Sequence, residues 1–434
     1  MSNNLISETN QGLFAFINSS MTAFHAVHTE EKLLQEAGFR ELTETDRWTL
    51  QPGDICYVTR NSSSLIAFRI PETLTDPGCR VTAVHGDSPA FKLKENADLL
   101  VREHYHMLDT EGYGGMILSS WLDRPLSLAG RVILRKDGRL QSKLFSFDRD
   151  LLIIPGLAIH MNRKVNEGVA LNKQVDMLPL LGEGSKDMPS LKFLLAEECQ
   201  VAEEDILGQD VFVYNRMQPT ILGSDSEFIG SPRLDDLQCA YACLQGFLTA
   251  DSTDDIQVYA CFDNEEVGSE TRQGAGSSFL EDTLRRIYLA LGRSEEDYHR
   301  AIAGSFMLSA DNAHAVHPAH PEKADIKNAV YMNGGVVVKS HAGQKYASDS
   351  LGIALCRAIA GEADLPLQFY SNRSDEAGGS TLGNIAISRV AIPAVDIGLA
   401  QLAMHSAYET AGARDTLQMV KFTRAFYSAA HLLW

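Results

Sequence analysis

Three acidic residues stand close together in the segment CFDNEEVGSE: Asp263, Glu265 and Glu266. They follow the apolar run IQVYACF, which is typical of a buried strand. Like charges at this spacing repel each other, and a carboxylate loses favourable hydration when it is buried. Such a group at the end of a strand is either a solvated turn or the acidic part of a cation site.

Three further strand ends and one helix start carry residues of the same chemical kind. His85 follows the run RVTAV, Asp311 follows SFMLSA, and His405 stands a short distance after IPAVDIG. Asp235 lies in SPRLDD just before a predicted helix, where an acid can also serve as a helix cap. Imidazole and carboxylate are good zinc ligands, and a carboxylate can bridge two ions about 3.5–4 Å apart. Taken together, these residues predict a site for two divalent cations.

Bound cations would resolve the repulsion among the clustered carboxylates, because they supply the missing positive charge. A hydrolytic site of this kind also needs a base that is not itself a ligand, since the attacking water must lose a proton. The adjacent Glu265 and Glu266 meet both needs: one can bind a cation while the other faces the water. The residues therefore predict metal-assisted hydrolysis.

The elements that must position these residues follow an α/β pattern. In the C-terminal half, apolar strands alternate with helical segments, which predicts a mainly parallel sheet covered by helices. The strand-like runs within 64–85 can join that sheet, whereas 95–230 has a different, β-rich texture with a hairpin signal at Asp137-Gly138. We expect a catalytic domain of residues 1–94 and 231–434, interrupted by an insertion at 95–230. Functional groups of open sheets gather beyond the carboxyl ends of the strands, where the candidate residues stand.

Composition excludes some classes of partner. The chain has 434 residues and a formal net charge of −19, which argues against binding to nucleic acid or to an anionic membrane surface. No apolar run approaches the ~20 residues of a membrane span, and the polar N-terminal stretch lacks the pattern of a signal peptide. The 7 cysteines include no CxxC pair and are expected to be reduced thiols. We therefore expect a cytoplasmic protein.

Five motifs occur along the chain in one order: HGDSP at 85–89, SPRLDD at 231–236, DNEEVGSE at 263–270, SADNAHAVHP at 309–318 and QLAMHS at 401–406. Together they closely resemble the aspartyl aminopeptidase family of di-zinc metallopeptidases, as do GLAIHMNRKVNEG at 156–168 and RSDEAGGSTLG at 373–383. The resemblance spans nearly the whole chain. It implies an α/β catalytic domain interrupted by a dimerisation domain, and a dodecameric tetrahedral shell whose active sites face an inner cavity.

The resemblance also implies a set of metal ligands. Asp235 would bridge two ions, and the other ligands would be His85 and Asp311 on one ion and Glu266 and His405 on the other. Each subunit would therefore hold two divalent ions. Zinc is the expected metal, although the same ligands accept manganese or cobalt.

Four more residues receive roles from the resemblance. Glu265 would be the general base, and Asp87 would orient the imidazole of His85 without touching the metal. His160, in the insertion, would reach the active site of a neighbouring subunit and help to stabilise the tetrahedral intermediate or to place the substrate. Lys339 would hold an acidic side chain of the substrate. Asp263 receives no role.

The chain departs from the family pattern around the substrate pocket. Gly86 stands where the family usually has Thr, and Ala407 and Tyr408 in MHSAYE replace the usual IR of MHSIRE. The segment KSHAGQKYASDS differs from KxNxNQRYAT, and SDEAGGS lacks the usual Cys or Met near Gly378. These changes bear on the expected preference for N-terminal Asp or Glu, and they leave the ligands and the base intact.

The sequence therefore predicts a metalloaminopeptidase that removes the N-terminal residue of peptides, with Asp or Glu as the expected residue. One alternative keeps the metals but changes the substrate, giving a deacylase of N-acyl amino acids. Another is a non-catalytic shell that binds metal or peptide, and the presence of Glu265 argues against it.

Overall fold

The computed structural model of the chain describes residues 3–75 and 77–429. The α-helices within these residues are α1 (Asn3–Ser19), α2 (Ala23–Glu36), α3 (Leu191–Cys199), α4 (Leu234–Thr249), α5 (Phe279–Ala290), α6 (Glu295–Ala303), α7 (Ser350–Glu362), α8 (Leu382–Ala386) and α9 (Asp415–Ser428). None of these helices is long and apolar enough to cross a membrane.

The strands in the same described residues are β1 (Arg40–Leu42), β2 (Ile55–Arg60), β3 (Ser64–Arg69), β4 (Cys79–His85), β5 (Ala90–Val101), β6 (Tyr105–Tyr113), β7 (Leu126–Lys136), β8 (Arg139–Ser146), β9 (Leu180–Glu183), β10 (Ile206–Asn215), β11 (Thr220–Leu222), β12 (Phe228–Ser231), β13 (Ile256–Phe262), β14 (Phe306–Ala310), β15 (Ala313–His314), β16 (Val336–Lys339), β17 (Leu367–Tyr370), β18 (Ala394–Gly398), β19 (Ala400–Leu402) and β20 (Glu409–Gly412). Strands dominate the stretch from β5 to β11. Helices and strands alternate from α4 onward, as the sequence predicts.

The chain divides into two compact units. The first comprises Met1–Asp87, Pro219–Met404 and Glu409–Trp434, and the second comprises Ser88–Gln218 together with His405–Tyr408. The second unit is therefore mostly a single insertion into the first, between β4 and β11. The expected division of roles, catalytic for the first part and dimerising for the insertion, stays a prediction.

A nine-stranded sheet runs through the first unit in the order β1-β2-β3-β13-β4-β14-β18-β16-β17. Most neighbouring pairs are parallel, and β2-β3, β3-β13 and β16-β18 are antiparallel. This confirms the predicted mainly parallel sheet, and β3 and β4 take part in it as expected. A smaller sheet of the same unit has the order β11-β12-β20-β19-β15.

Helices cover both faces of the large sheet because its strands are apolar on both sides. In β13, Tyr259 and Cys261 pack in the core formed with α1, α2, α4, α7 and α9. Val258 and Ala260, which alternate with them, pack in the core formed with α5, α6 and α8. A strand buried on both faces reads as a continuous apolar run rather than an alternating one. This explains the sequence IQVYACF, whose residues are all buried.

The strand register brings several candidate residues to one edge of this sheet. His85, the last residue of β4, lies opposite Phe262, the last residue of β13. Ser309 of β14 lies opposite Ala83 of β4, so Asp311 comes level with His85. Because these strands are parallel, the loops that follow them begin side by side.

The second unit has its own antiparallel sheet, in the order β8-β7-β10-β5-β6-β9, and its own apolar core, against which α3 packs. Strands β7 and β8 form the predicted hairpin. Asp137 and Gly138 at its tip have φ values of 50° and 73°. A two-residue turn of this kind needs positive φ at both positions, which Asp-Gly tolerates.

Candidate metal centre

Acidic and imidazole side chains converge at the carboxyl edge of the large sheet. One group has four members, each with a ligand atom within 4.8 Å of the others: His85, Asp235, Asp236 and Asp311. A second group, defined in the same way, consists of His85, Glu265 and Glu266. All of these residues lie in the first unit, and His85 belongs to both groups. Nitrogen and carboxylate oxygen form a donor set that zinc, manganese and cobalt accept, so the residues present fit divalent ions.

His85 is almost fully buried, with 1% of its surface exposed. Its Nε2 lies 3.6 Å from Asp235 Oδ1. Its Nδ1 lies 3.1 Å from the backbone oxygen and 3.4 Å from Oδ1 of Asp87. Burial alone would lower the pKa of His85, but the Asp235 and Asp87 carboxylates raise it well above its usual range. A proton on Nδ1, shared with Asp87, leaves Nε2 as the nitrogen that can bind a metal ion.

Asp235 and Asp236 open α4 without serving as its cap. The residue at the cap position is Arg233, which has a left-handed backbone with φ 55° and makes no side-chain cap hydrogen bond. Asp235 has an extended backbone, at φ −81° and ψ 111°, and the peptide bond between the two acids is cis. The Asp235 N–H donates to Glu409 Oε2 at 3.1 Å, and the His85 N–H donates to Asp236 Oδ2 at 3.3 Å. Both acids are buried, and each has a carboxylate oxygen in the group shared with His85 and Asp311.

Asp311 follows β14 and lies against Lys339 at the end of β16. The Lys339 Nζ donates to the backbone oxygens of Asp311 at 2.9 Å and of Asn312 at 3.2 Å. It also lies 3.8 Å from Asp311 Oδ2. Burial raises the pKa of Asp311 to about 6, although the Lys339 charge acts to lower it. Lys339 is 2% exposed, and these contacts are with the chain itself, so its predicted hold on a substrate carboxylate stays a prediction.

Glu265 and Glu266 lie half-buried in a short 3₁₀ turn, Glu265–Val267, directly after β13. Their N–H groups donate to the two carboxylate oxygens of Asp87, each at 3.2 Å. Burial raises the pKa of Glu265 to about 8, and burial together with the Asp235 charge raises the pKa of Glu266 well above its usual range. Carboxyl groups packed in this way retain protons unless cations replace them, which is a further sign that the site fits metal ions.

Two predicted site residues belong to the second unit. His405 has a left-handed backbone with φ 66°, which is uncommon for a residue other than glycine, and its Nδ1 lies 2.8 Å from the backbone oxygen of Gly115. His160 is exposed in an irregular segment, beside a turn in which the Met161 N–H donates to the Ala158 oxygen. The predicted roles of both histidines stay predictions.

The sequence interpretation missed Asp236 and gave Asp263 no role. Asp236 stands next to Asp235, and two adjacent acids before a helix carry no signal that separates a ligand from a cap. Asp263 is 5% exposed; its N–H donates to Ser64 Oγ at 2.9 Å, and its Oδ1 accepts from the Asn264 N–H at 2.7 Å. Asp263 therefore anchors the start of the glutamate turn.

The chain matches the family model described as aminopeptidase I zinc metalloprotease (M18) over residues 16–427. A curated relative, the probable M18 family aminopeptidase 2 of Clostridium novyi (strain NT), is 42% identical over 422 residues, which cover 96% of this chain and 98% of the relative.

Solved structures show the same fold. The structure of the Ape4 and Nbr1 complex has a TM-score of 0.94 at 32% identity, covering 98% of this chain and 86% of that chain. The S. cerevisiae mApe1 dodecamer has a TM-score of 0.86 at 26% identity, covering 98% of this chain and 97% of that chain. These likenesses confirm the family resemblance found in the motifs. The chain therefore belongs to the aminopeptidase I zinc metalloprotease family, M18.

Proposed function

We propose that this protein is a metalloaminopeptidase that removes the N-terminal residue of peptides at the carboxyl edge of its large sheet. One observation carries the proposal: His85, Asp235, Asp236 and Asp311 bring four ligand atoms within 4.8 Å of one another, and His85 shares a second such group with Glu265 and Glu266. Peptide hydrolysis is the activity named for the family that the chain matches.

Each subunit would hold two divalent ions, with zinc as the expected metal and manganese or cobalt as substitutes. Asp235 would bind both ions, and the remaining ligands would be His85 and Asp311 on one, and Glu266 and His405 on the other. The short distances among His85, Asp235 and Asp311 support the first set. The family resemblance supports His405, whose left-handed backbone is the kind of strained conformation that clusters at functional sites.

Bound ions would acidify a water molecule and polarise the scissile carbonyl group. The Glu265 carboxylate would accept the proton from the attacking water and pass it to the nitrogen of the leaving amine. Asp87 supports this role in two ways, because it contacts His85 Nδ1 and accepts hydrogen bonds from the N–H groups of Glu265 and Glu266. The imidazole and the base are thus oriented by one carboxylate.

The test is Glu265→Gln, which keeps the size of the side chain and removes the base. We expect kcat to fall by about 10²–10⁴-fold, as for the loss of a general base, while bound zinc measured by mass spectrometry is retained. Glu270→Gln, at an exposed position of the same loop, is the matched control and should keep the wild-type kcat. Equal rates for Glu265→Gln and wild type with both enzymes loaded with metal would refute the mechanism. N-acyl amino acids, assayed beside aminoacyl-nitroanilides, test the deacylase alternative.

We also propose a preference for N-terminal Asp or Glu, on the family resemblance. A cavity of about 620 Å³ in the first unit is lined by residues of the SDEAGG segment together with His314 and Lys323. Its cationic side chains already have partners, since Lys323 lies 2.8 Å from Glu376 and Arg373 pairs with Asp375. The proposed preference therefore rests on the family resemblance, which assigns the substrate carboxylate to Lys339, and not on this cavity.

Lys339→Met separates the two roles open to that lysine. If Lys339 binds a substrate carboxylate, KM should rise for aspartyl- and glutamyl-nitroanilides and stay constant for leucyl-nitroanilide. An equal loss on all three substrates would contradict the acid-binding role, and would indicate that Lys339 acts through its contacts with Asp311 and Asn312.

We propose that the protein forms a homo-oligomer, with the dodecamer of the mApe1 structure as the expected assembly. In its support, the second unit exposes apolar side chains such as Leu157 (61%), Met161 (75%) and Val175 (71%), which favour burial against another subunit. A mass measurement in solution tests the assembly, and a monomer would contradict it.

Mixed oligomers test the proposed action of His160 across subunits. His160→Ala and Glu265→Gln should each be inactive alone, and co-assembly should restore activity where an intact Glu265 faces an intact His160. No recovery in mixed oligomers would contradict the role.

We also propose a cytoplasmic location, which the seven free and buried cysteines support, since thiols stay reduced there.

A further inference from the structure

We propose that Asn264 is a positioning residue, which holds the turn carrying Glu265 and Glu266 in its working geometry. The inference rests on the proposed function, because it assigns Glu265 to the water and Glu266 to the metal. Asn264 lies between the end of β13 and the 3₁₀ turn, so it controls how the turn leaves the sheet.

The backbone of Asn264 already restricts the turn. It is left-handed, with φ 63° and ψ 24°, a conformation that asparagine tolerates better than most residues with a side chain. Its carbonyl oxygen accepts from the Val267 N–H at 3.3 Å and from the Ser269 N–H at 2.8 Å. These bonds close the chain around the two glutamates, so their direction depends on the conformation at Asn264.

The side chain of Asn264 ties the turn to the loop that follows it. Its Oδ1 accepts from Thr271 Oγ1 at 2.7 Å and from Gln273 Nε2 at 2.8 Å. Its Nδ2 donates to Asp263 Oδ1 at 3.2 Å, and Asp263 is itself held by Ser64. The amide therefore joins the end of the strand to the loop that follows the turn.

The Asp87 carboxylate holds the turn by accepting hydrogen bonds from the N–H groups of Glu265 and Glu266. Asn264 holds the same turn through its side-chain amide and its backbone carbonyl. With the amide bonds removed, we expect the turn to sample orientations in which Glu265 and Glu266 point away from the water and the metal. A displacement of about 1 Å at a catalytic group can cost about 10²-fold in rate. Loss of an outer partner of a ligand typically costs about 10–100-fold in metal affinity or activity.

The test is Asn264→Gly, which permits the left-handed backbone and removes the amide. We expect zinc affinity, measured by competition with a chromogenic chelator, to fall about tenfold or more. At saturating zinc kcat should fall by about tenfold or more, with KM unchanged, because the substrate contacts remain. Asn333→Gly is the matched control: Asn333 is also left-handed, with φ 64°, and its amide donates to Glu227 and accepts from Arg414. It should keep wild-type kcat and zinc affinity.

A second set of variants tests the same bonds from their other end. Thr271→Val combined with Gln273→Ala removes both donors to the Asn264 amide oxygen and should reproduce the Asn264→Gly loss. Adding these changes to Asn264→Gly should cause little further loss, because the bonds are already absent.

Two results would overturn the inference. One is an Asn264→Gly enzyme whose melting temperature falls while its zinc affinity and kcat stay at wild-type levels. The other is additive losses in the combined variant. Failure of the proposed function looks different, since it would appear as full activity in Glu265→Gln, whatever Asn264→Gly does.

Discussion

A buried carboxyl group that is not among the proposed metal ligands gives a quantitative test of the folded core. Glu30, on α2, has no exposed surface and packs among the apolar residues of the core that includes α1, α4 and α9. Its Oε1 accepts a hydrogen bond from the Tyr259 hydroxyl at 2.7 Å. Burial raises the pKa of Glu30 from 4.5 to about 7, although hydrogen bonds from Tyr259 and Cys261 act to lower it. Glu30 is therefore protonated in the folded protein at pH values where it is ionised in the unfolded chain.

The sign and the size of the effect follow from this shift. Between pH 4.5 and about 7 the unfolded chain has released the proton and the folded protein has not, so the free energy of unfolding falls as pH rises. The contribution of Glu30 is fully present below pH 4.5 and is lost as pH rises through about 7. At about 1.4 kcal/mol per pKa unit, the loss is about 3 kcal/mol.

Glu30→Gln should remove this loss. The amide oxygen can still accept from Tyr259, and the amide cannot ionise, so the variant should exceed wild type by up to about 3 kcal/mol near pH 8. Near pH 4.5 the two proteins should have similar stability. One kcal/mol corresponds to about 2–4 °C in a domain of 150–250 residues, so we expect a rise of several degrees in Tm at the higher pH.

The assay is thermal unfolding of wild type and variant at both pH values, with the same zinc concentration. Glu36→Gln, at an exposed position of the same helix, is the matched control and should show the same small difference from wild type at both pH values. A Glu30→Gln variant less stable than wild type at the higher pH, or equally shifted at both, would refute the reasoning, because the cost would then not come from ionisation.

Three further predictions test packing and metal binding. Gly246→Ala should destabilise the protein by about 1–3 kcal/mol in urea unfolding, since the added Cβ would clash with Thr423 Oγ1. Gly361→Ala is the control: its Cβ would meet no atom within 4 Å, so this variant should be neutral or slightly stabilising. Gly86→Thr should lower Tm, because a Cβ there would lie 3.1 Å from Cys261 Sγ. Adding Cys261→Ala to Gly86→Thr should restore part of the lost Tm, and no recovery in the double variant would contradict the contact. Chelation should lower Tm and abolish activity, and added zinc should restore both, whereas full activity without metal would contradict the ligand assignments.

The sequence was sufficient to predict the central strands and the site residues that follow them. The run before His85 is apolar except for Arg80 and Thr82, and the run before Asp263 is apolar except for Gln257. Such predominantly apolar runs are typical of strands buried on both faces, and parallel pairing then brings their carboxyl ends together. The position of Asp311 follows from the same rule. This part of the site was predictable because it depends only on the period of the strand and the direction of pairing.

The remaining contacts depend on conformation that composition does not reveal. Asp236 differs from Asp235 only through the backbone at the start of α4, which is not helical there. Lys339 ends β16, which lies antiparallel beside β18, and β18 in turn pairs with β14, the strand before Asp311. This order of strands brings Lys339 to Asp311, and neither the segment around Lys339 nor the segment around Asp311 indicates it. The proposed role of Asn264 depends on its own left-handed backbone and on the bonds of its amide. The sequence does not indicate this role, because many asparagines in loops have that conformation without any function.

One carboxylate explains why the two acidic loops are held as a unit. Asp87 lies in the loop after β4, and its oxygens accept from the turn after β13, although the two segments are far apart in the chain. The same side chain contacts His85 Nδ1. These contacts couple the position of the β4 loop to the imidazole and to the turn that carries both glutamates. Because β4 and β13 are parallel neighbours, the two segments begin side by side, within reach of this one carboxylate. The pairing of these strands is therefore itself part of the site.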